Sequence, residues 1–158
     1  MIVVSFICMG NICRSPTAEA VFRQCVEHHG LSEKFHINSF ATHSYHIGKP
    51  PDKRAISIGA KHGYDLAALR AEKISLGILE QSDYVLAMDK NNISKLQQDY
   101  GLKKTASVEL LMKYHSTLGG GEVQDPYYED ELVFETVIEL TRDAAEGLLN
   151  HIREQHQI

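Results

Sequence analysis

The stretch that decides the fold is Met1–Glu19, MIVVSFICMGNICRSPTAE. Its first eight residues form an apolar, β-branched run suited to a strand covered on both faces. Gly10-Asn11 breaks that run. Ser15-Pro16 then reads as a helix start, because Ser is a good N-cap, Pro in the first turn loses no hydrogen bond, and Glu19 complements the helix dipole. Ala18, Val21, Phe22, Cys25, Val26 and His29 recur at threes and fours as a buried stripe, and Gly30 supplies the stop. Strand, tight loop and helix make the opening unit of an α/β domain.

Outward from this unit the alternation continues. Strands are expected at Phe35–Ala41, Asp83–Met88 and Ala106–Met112, and helices at Pro51–His62, Lys90–Tyr100 and Leu132–Arg153. That order implies a parallel sheet with right-handed crossovers and helices on both faces. The longest stretch without periodicity is Lys113–Glu131, which holds Gly119-Gly120-Gly121 and Asp125-Pro126-Tyr127-Tyr128. Long irregular loops in compact domains tend to carry function, and ligands of open α/β sheets bind beyond the carboxyl ends of the strands.

Composition narrows the partner. The 158 residues suit one domain, and 16 Lys plus Arg against 21 Asp plus Glu give a formal charge of -5, which excludes a broad basic face for nucleic acid. No stretch is long and apolar enough for a membrane span, and Met1–Met9 lacks the flanks of a signal peptide. Three cysteines, an odd number crowded near one end, suit a reducing compartment, so a cytoplasmic location is expected.

Cys8-Met9-Gly10-Asn11-Ile12-Cys13-Arg14-Ser15 carries the chemistry. A loop curling from a strand into a helix N-terminus turns several backbone N–H groups into one concavity, and with the helix dipole this makes an anion site. Gly10 and Asn11 tolerate the positive φ such a curl requires. Arg14 adds a planar fork matching two phosphate oxygens. The same dipoles favour a thiolate at Cys8, and the Ser15 hydroxyl can donate to it. Such a thiolate can attack phosphorus in line with the leaving oxygen while Arg14 and the amides of residues 9–15 hold the other three, with no metal or other cofactor. Read apart from its context, Cys8 could also be a small buried hydrophobe.

With these residues in view, the chain resembles the low-molecular-weight protein tyrosine phosphatases. The resemblance runs from Cys8–Ser15 with Pro16-Thr17-Ala18-Glu19, through Ile47-Gly48-Lys49-Pro50-Pro51-Asp52, Arg54-Ala55, His62-Gly63-Tyr64 and Met88-Asp89, to Asp125-Pro126-Tyr127-Tyr128. It implies a single α/β domain over residues 1–158, with a four-stranded parallel sheet of order 2-1-3-4 and helices on both faces. It also implies a phosphocysteine on Cys8, with Arg14 binding the phosphoryl group and Asp125 as general acid and base. By residue type alone Asp125-Pro126 is a turn starter. Tyr127 and Tyr128, by themselves ordinary loop aromatics, would line the cleft, with Tyr45 as the opposite wall. Ile12 sits where relatives acting on phosphoarginine tend to have Thr, and looks like the phosphotyrosine type.

Asn11, Ser15, Ser39 and Glu19 resemble the family's network under the loop; where a network histidine is usual, this chain has Ala68, and Glu129 replaces a usual Gly. Asp89 reads either as the acid beside the site or as a helix N-terminal charge. The resemblance further implies that Cys13 can trap an oxidised Cys8 as a disulfide, against the plainer reading that it packs under the loop. Cys25 reads as core. Among nine histidines only His43 and His46 are spaced for a metal, without further ligands at a matching distance, so no metal is expected. Tyrosine-phosphorylated proteins, a tyrosine kinase among them, are the expected partners of a monomer or weak dimer. Two other functions fit the cradle: thiol-linked arsenate reduction, which usually needs a downstream cysteine pair that this chain lacks, and a non-catalytic oxyanion-binding module.

Overall fold

A computed structural model describes all of residues 1–158. Its four strands are β1 (Ile2–Cys8), β2 (Phe35–Ala41), β3 (Tyr84–Ala87) and β4 (Val108–Leu110). Its helices are α1 (Arg14–His28), α2 (Lys53–Lys61), α3 (Leu76–Gln81), α4 (Lys90–Tyr100) and α5 (Glu131–His156). The sheet is parallel throughout and ordered β2-β1-β3-β4, as the alternation of elements and the resemblance imply.

Alternation along β1 explains the layers. Val4, Phe6 and Cys8 face the larger core with α1, α2 and α5, whereas Ile7 faces a smaller one with Leu79 of α3 and Leu96 of α4. Phe6, Phe22 and Phe35 meet edge to face at 5.6 and 5.8 Å, fixing α1 across β1 and β2. Each such buried side chain contributes about 1.5–3 kcal/mol relative to exposure. Gly147 lets α5 approach closely, since a Cβ there would lie 1.9 Å from the Tyr114 carbonyl oxygen. No helix is long and apolar enough to cross a membrane.

Local differences from the sequence reading have physical reasons. Ser15 does not cap α1: the helix begins at Arg14 behind Cys13 without a side-chain cap, because the Ser15 hydroxyl is turned onto Cys8. Glu19 is buried and accepts from Ser39 and Arg23 rather than serving the dipole. His29 is the exposed C-cap residue, outside the buried stripe. β4 is shorter than the expected Ala106–Met112, since Leu111–Tyr114 closes into a 3-10 turn. α2 starts two residues late, capped by Asp52, and α5 extends past both expected ends. α3, six residues long, is too short to show a helical period.

Candidate active site

Because all four strands run in parallel, the loops after β1, β2 and β3 leave from one end of the sheet. Cys8 ends β1 opposite Ala41 at the end of β2. Thr42 N–H then donates to the Cys8 carbonyl at 2.9 Å and His43 N–H to that of Met9 at 3.0 Å, holding the start of the loop. Asn11 takes the turn with φ of 56°, a left-handed conformation that a short polar side chain tolerates.

The loop is held from beneath by a chain of buried polar groups. Asn11 Nδ2 donates to Ser15 Oγ at 2.7 Å and to Ser39 Oγ at 2.9 Å, and Ser39 Oγ donates to Glu19 Oε2 at 2.5 Å. Asn11 Oδ1 accepts the Glu72 N–H at 3.0 Å. The network therefore closes without an imidazole; Ala68 is exposed, and no buried side-chain nitrogen or oxygen lacks a partner. Above it, Cys8 Sγ accepts the Asn11 N–H at 3.2 Å and lies 3.0 Å from Ser15 Oγ.

Arg14 is buried with 2% of its surface exposed. Its Nη1 donates to Asp89 Oδ2 at 2.6 Å and to the Val123 carbonyl at 3.0 Å, and its Nη2 stands 3.5 Å from Asp125 Oδ2. Burial opposes its charge, but Cys8, Asp89 and Asp125 outweigh that and hold the guanidinium above its usual range. Asp89 fills both roles expected of it, since its Oδ1 also caps α4 through the Asn92 N–H at 2.8 Å. The late loop is tied down at Val123, whose N–H donates to the Met88 carbonyl at 2.9 Å.

Cys8, Arg14, Asp125, Ile12 and Cys13 converge on one cleft of about 350 Å³, together with Met9, Gly10, Tyr45, Tyr127 and Tyr128. Tyr128 is 91% exposed and meets Tyr127 edge to face at 4.8 Å. Tyr45 stacks on His43 at 5.1 Å. His46 is a cleft residue that sequence reasoning placed only in a metal spacing. Its ring lies 6.1 Å from Tyr127, and a Cβ on Gly10 would meet it at 3.0 Å. Cys13 is buried with a free thiol, pushed well up by burial and then by Asp52 and Cys8.

Arg54 is the other residue that the sequence reading did not assign. It pairs with Asp52 through Nε and Nη2 at 3.0 Å each, and donates to the Tyr127 carbonyl at 2.8 Å and the Glu129 carbonyl at 3.1 Å. The Asp52 N–H donates to the Ile12 carbonyl at 2.8 Å, so Asp52 and Arg54 join the loop of Cys8 to the loop of Asp125. Replacing Arg54 with Gln should lower kcat about tenfold for poor leaving groups and leave the KM of a small aryl phosphate nearly unchanged. Burial raises the Asp52 carboxyl, but hydrogen bonds from the Arg54 side chain and backbone hold it below the usual carboxylate range. Its contribution to stability is therefore complete above about pH 4 and lost as pH falls through the folded-state value. Melting curves of Arg54→Gln between about pH 3 and 7 should show that acid-side loss reduced; an unchanged pH profile would mean that the pair does not link the loops.

Fold and site together define an α/β oxyanion-binding protein with a cysteine at the floor of its cradle and a carboxylic acid above it. The sequence profile described as "Low molecular weight phosphotyrosine protein phosphatase" matches residues 3–158, and the chain belongs to that family. It is 37% identical to the low molecular weight protein-tyrosine-phosphatase YfkJ of Bacillus subtilis over 158 residues, covering 100% of both. It is 41% identical to the human low molecular weight phosphotyrosine protein phosphatase over 136 residues, 85% of each. The crystal structure of a protein tyrosine phosphatase from Entamoeba histolytica with Hepes in its active site superposes with a TM-score of 0.93 at 33% identity, covering 99% of each chain.

Proposed function

We propose that the protein hydrolyses phosphotyrosine monoesters in proteins. The observation that carries this reading is the convergence of a thiol, a buried guanidinium and a carboxyl on one aromatic-lined cleft. The Cys8 thiolate attacks phosphorus, forming an S–P bond as the P–O bond to the phenol breaks. Asp125 gives its proton to the departing oxygen. The Asp125 carboxylate then takes a proton from water, whose oxygen attacks phosphorus; the S–P bond breaks, phosphate leaves and the thiolate is restored. Loop amides and Arg14 hold the equatorial oxygens in both steps. A phenyl ring above the phosphate would lie among Tyr127, Tyr45 and Ile12.

Asp125→Asn tests the acid. The loss of kcat/KM, which reports phosphoryl transfer to Cys8, should reach about 10²–10³-fold for a phenyl phosphate, whose leaving group needs the proton, and be much smaller for p-nitrophenyl phosphate. Equal losses on both would contradict the assignment. Rates should persist in EDTA and favour phosphotyrosyl over phosphoarginyl or phosphoseryl peptides. Cytoplasmic tyrosine-phosphorylated proteins, a tyrosine kinase among them, are the proposed substrates of a monomer or weak dimer, and capture by a Cys8→Ser chain would identify them. Cys13 is proposed to protect the site by pairing with oxidised Cys8.

A further inference from the structure

We propose that Cys25, His29 and Glu146 form a binding site for a zinc-class divalent cation that bridges α1 to α5 at the end remote from the phosphate loop. The Cys25 thiol, a ring nitrogen of His29 and a carboxylate oxygen of Glu146 all lie within 4.8 Å of one another. His29, the C-cap residue of α1, follows Cys25 by four positions and turns its ring back onto the Cys25 carbonyl, and Glu146 reaches them from α5.

The imidazole is oriented for the task. His29 Nδ1 lies 2.9 Å from the Cys25 carbonyl oxygen, which can only accept, so this nitrogen carries the proton. Nε2 is the nitrogen left for a metal, and it faces Glu146 Oε2 at 3.9 Å. A backbone carbonyl fixing the far nitrogen is the usual companion of a metal-binding histidine. Tetrahedral zinc, with bonds of about 2.0–2.3 Å, needs its ligand atoms roughly 3.2–3.7 Å apart, so a modest inward shift completes the geometry. His29 and Glu146 have half-exposed side chains that can make it, while Cys25 is buried beneath them.

The surroundings suit a cation. A groove of about 200 Å³ runs beside Cys25 and Glu146 and leaves room for water as fourth ligand. Arg142, which also lines that groove, is engaged with Tyr64, its guanidinium over the ring and its Nε on the hydroxyl at 3.0 Å. As the S–M bond forms, the Cys25 S–H bond breaks and its proton passes to solvent. One thiolate and one carboxylate then balance the two positive charges. Thiolate and imidazole select zinc-like ions over magnesium or calcium. Cys25 lies roughly 15 Å along α1 from Ser15, so the bound ion would brace the two helices without entering the cleft.

The test uses the chain carrying Cys8→Ser and Cys13→Ser, in which Cys25 is the sole thiol. Cobalt(II) should bind one to one with a sulfur-to-cobalt charge-transfer band and release one proton. Zinc at a hundredfold excess over Kd should raise the Tm by roughly 5–10 °C, reversibly with EDTA, whereas magnesium should not. His29→Ala and Glu146→Gln, at exposed positions where folding is not at stake, should each weaken cobalt binding at least tenfold. Absence of the sulfur band at micromolar cobalt, or a band unaltered by both substitutions, would overturn the proposal.

Discussion

Replacing Cys8 with Ser is expected to lower kcat by roughly 10⁴-fold or more while phosphate still binds. In the proposed reaction sulfur is the atom that attacks phosphorus, and its place in the loop suits that role, with the Asn11 N–H at 3.2 Å and the Ser15 hydroxyl at 3.0 Å. A serine hydroxyl in the same position keeps its proton at neutral pH, because no histidine or carboxylate touches that atom to remove it. In the proposed site, backbone N–H groups and Arg14 hold the anion, and the substitution removes none of them. Steady-state kinetics with an aryl phosphate and calorimetric titration with inorganic phosphate separate the two properties. Retained turnover would mean another nucleophile; lost phosphate binding would mean that the substitution had unsettled the loop.

The second large effect is expected at Arg14, where Lys should lower kcat about 10³-fold. Arg14 is already committed on one side, with Nη1 on Asp89 and the Val123 carbonyl, which leaves Nη2, 3.5 Å from Asp125 Oδ2, and Nε as the proposed fork for the phosphoryl oxygens. A lysine preserves one positive charge but cannot satisfy Asp89 and span two oxygens together. The loss should be larger in the pentacoordinate state than in the ground state, so affinity for vanadate should fall further than affinity for phosphate. Equal weakening of both with kcat retained would reduce Arg14 to a simple anchor. Turnover that depends on Cys8 and Arg14 in this way would also set aside a binding module without catalysis, and the third cysteine, on α1 beneath His29 and Glu146, lies outside the cleft in which an arsenic adduct would need resolving.

The loop of Cys8 was legible in the sequence because its determinants are adjacent: a buried strand, two residues that accept a left-handed turn, and a helix start lie within nineteen positions. Sheet and major helices were legible for the same reason, since each carries its own period. The contacts that unite the site are long-range. Arg54 meets the Tyr127 carbonyl across 73 positions and Arg14 meets Val123 across 109, and no local pattern marks such partners. His46 was hidden because a histidine beside a tyrosine in a loop has no period. Ser15 shows the opposite failure, in which a strong local preference for capping yields to a tertiary role beside the thiol. Glu19 does the same, leaving the helix dipole for the buried Ser39 network.

The most direct measurement is acid quenching of the Asp125→Asn chain during turnover of p-nitrophenyl phosphate, followed by mass analysis of the peptide containing Cys8. In the proposed mechanism Asp125 activates the water that resolves the intermediate, so its loss should let the phosphocysteine accumulate. The expected result is one phosphoryl group on Cys8, absent when Cys8 is Ser. A phosphoryl group on another residue, or turnover without any covalent adduct, would contradict the account.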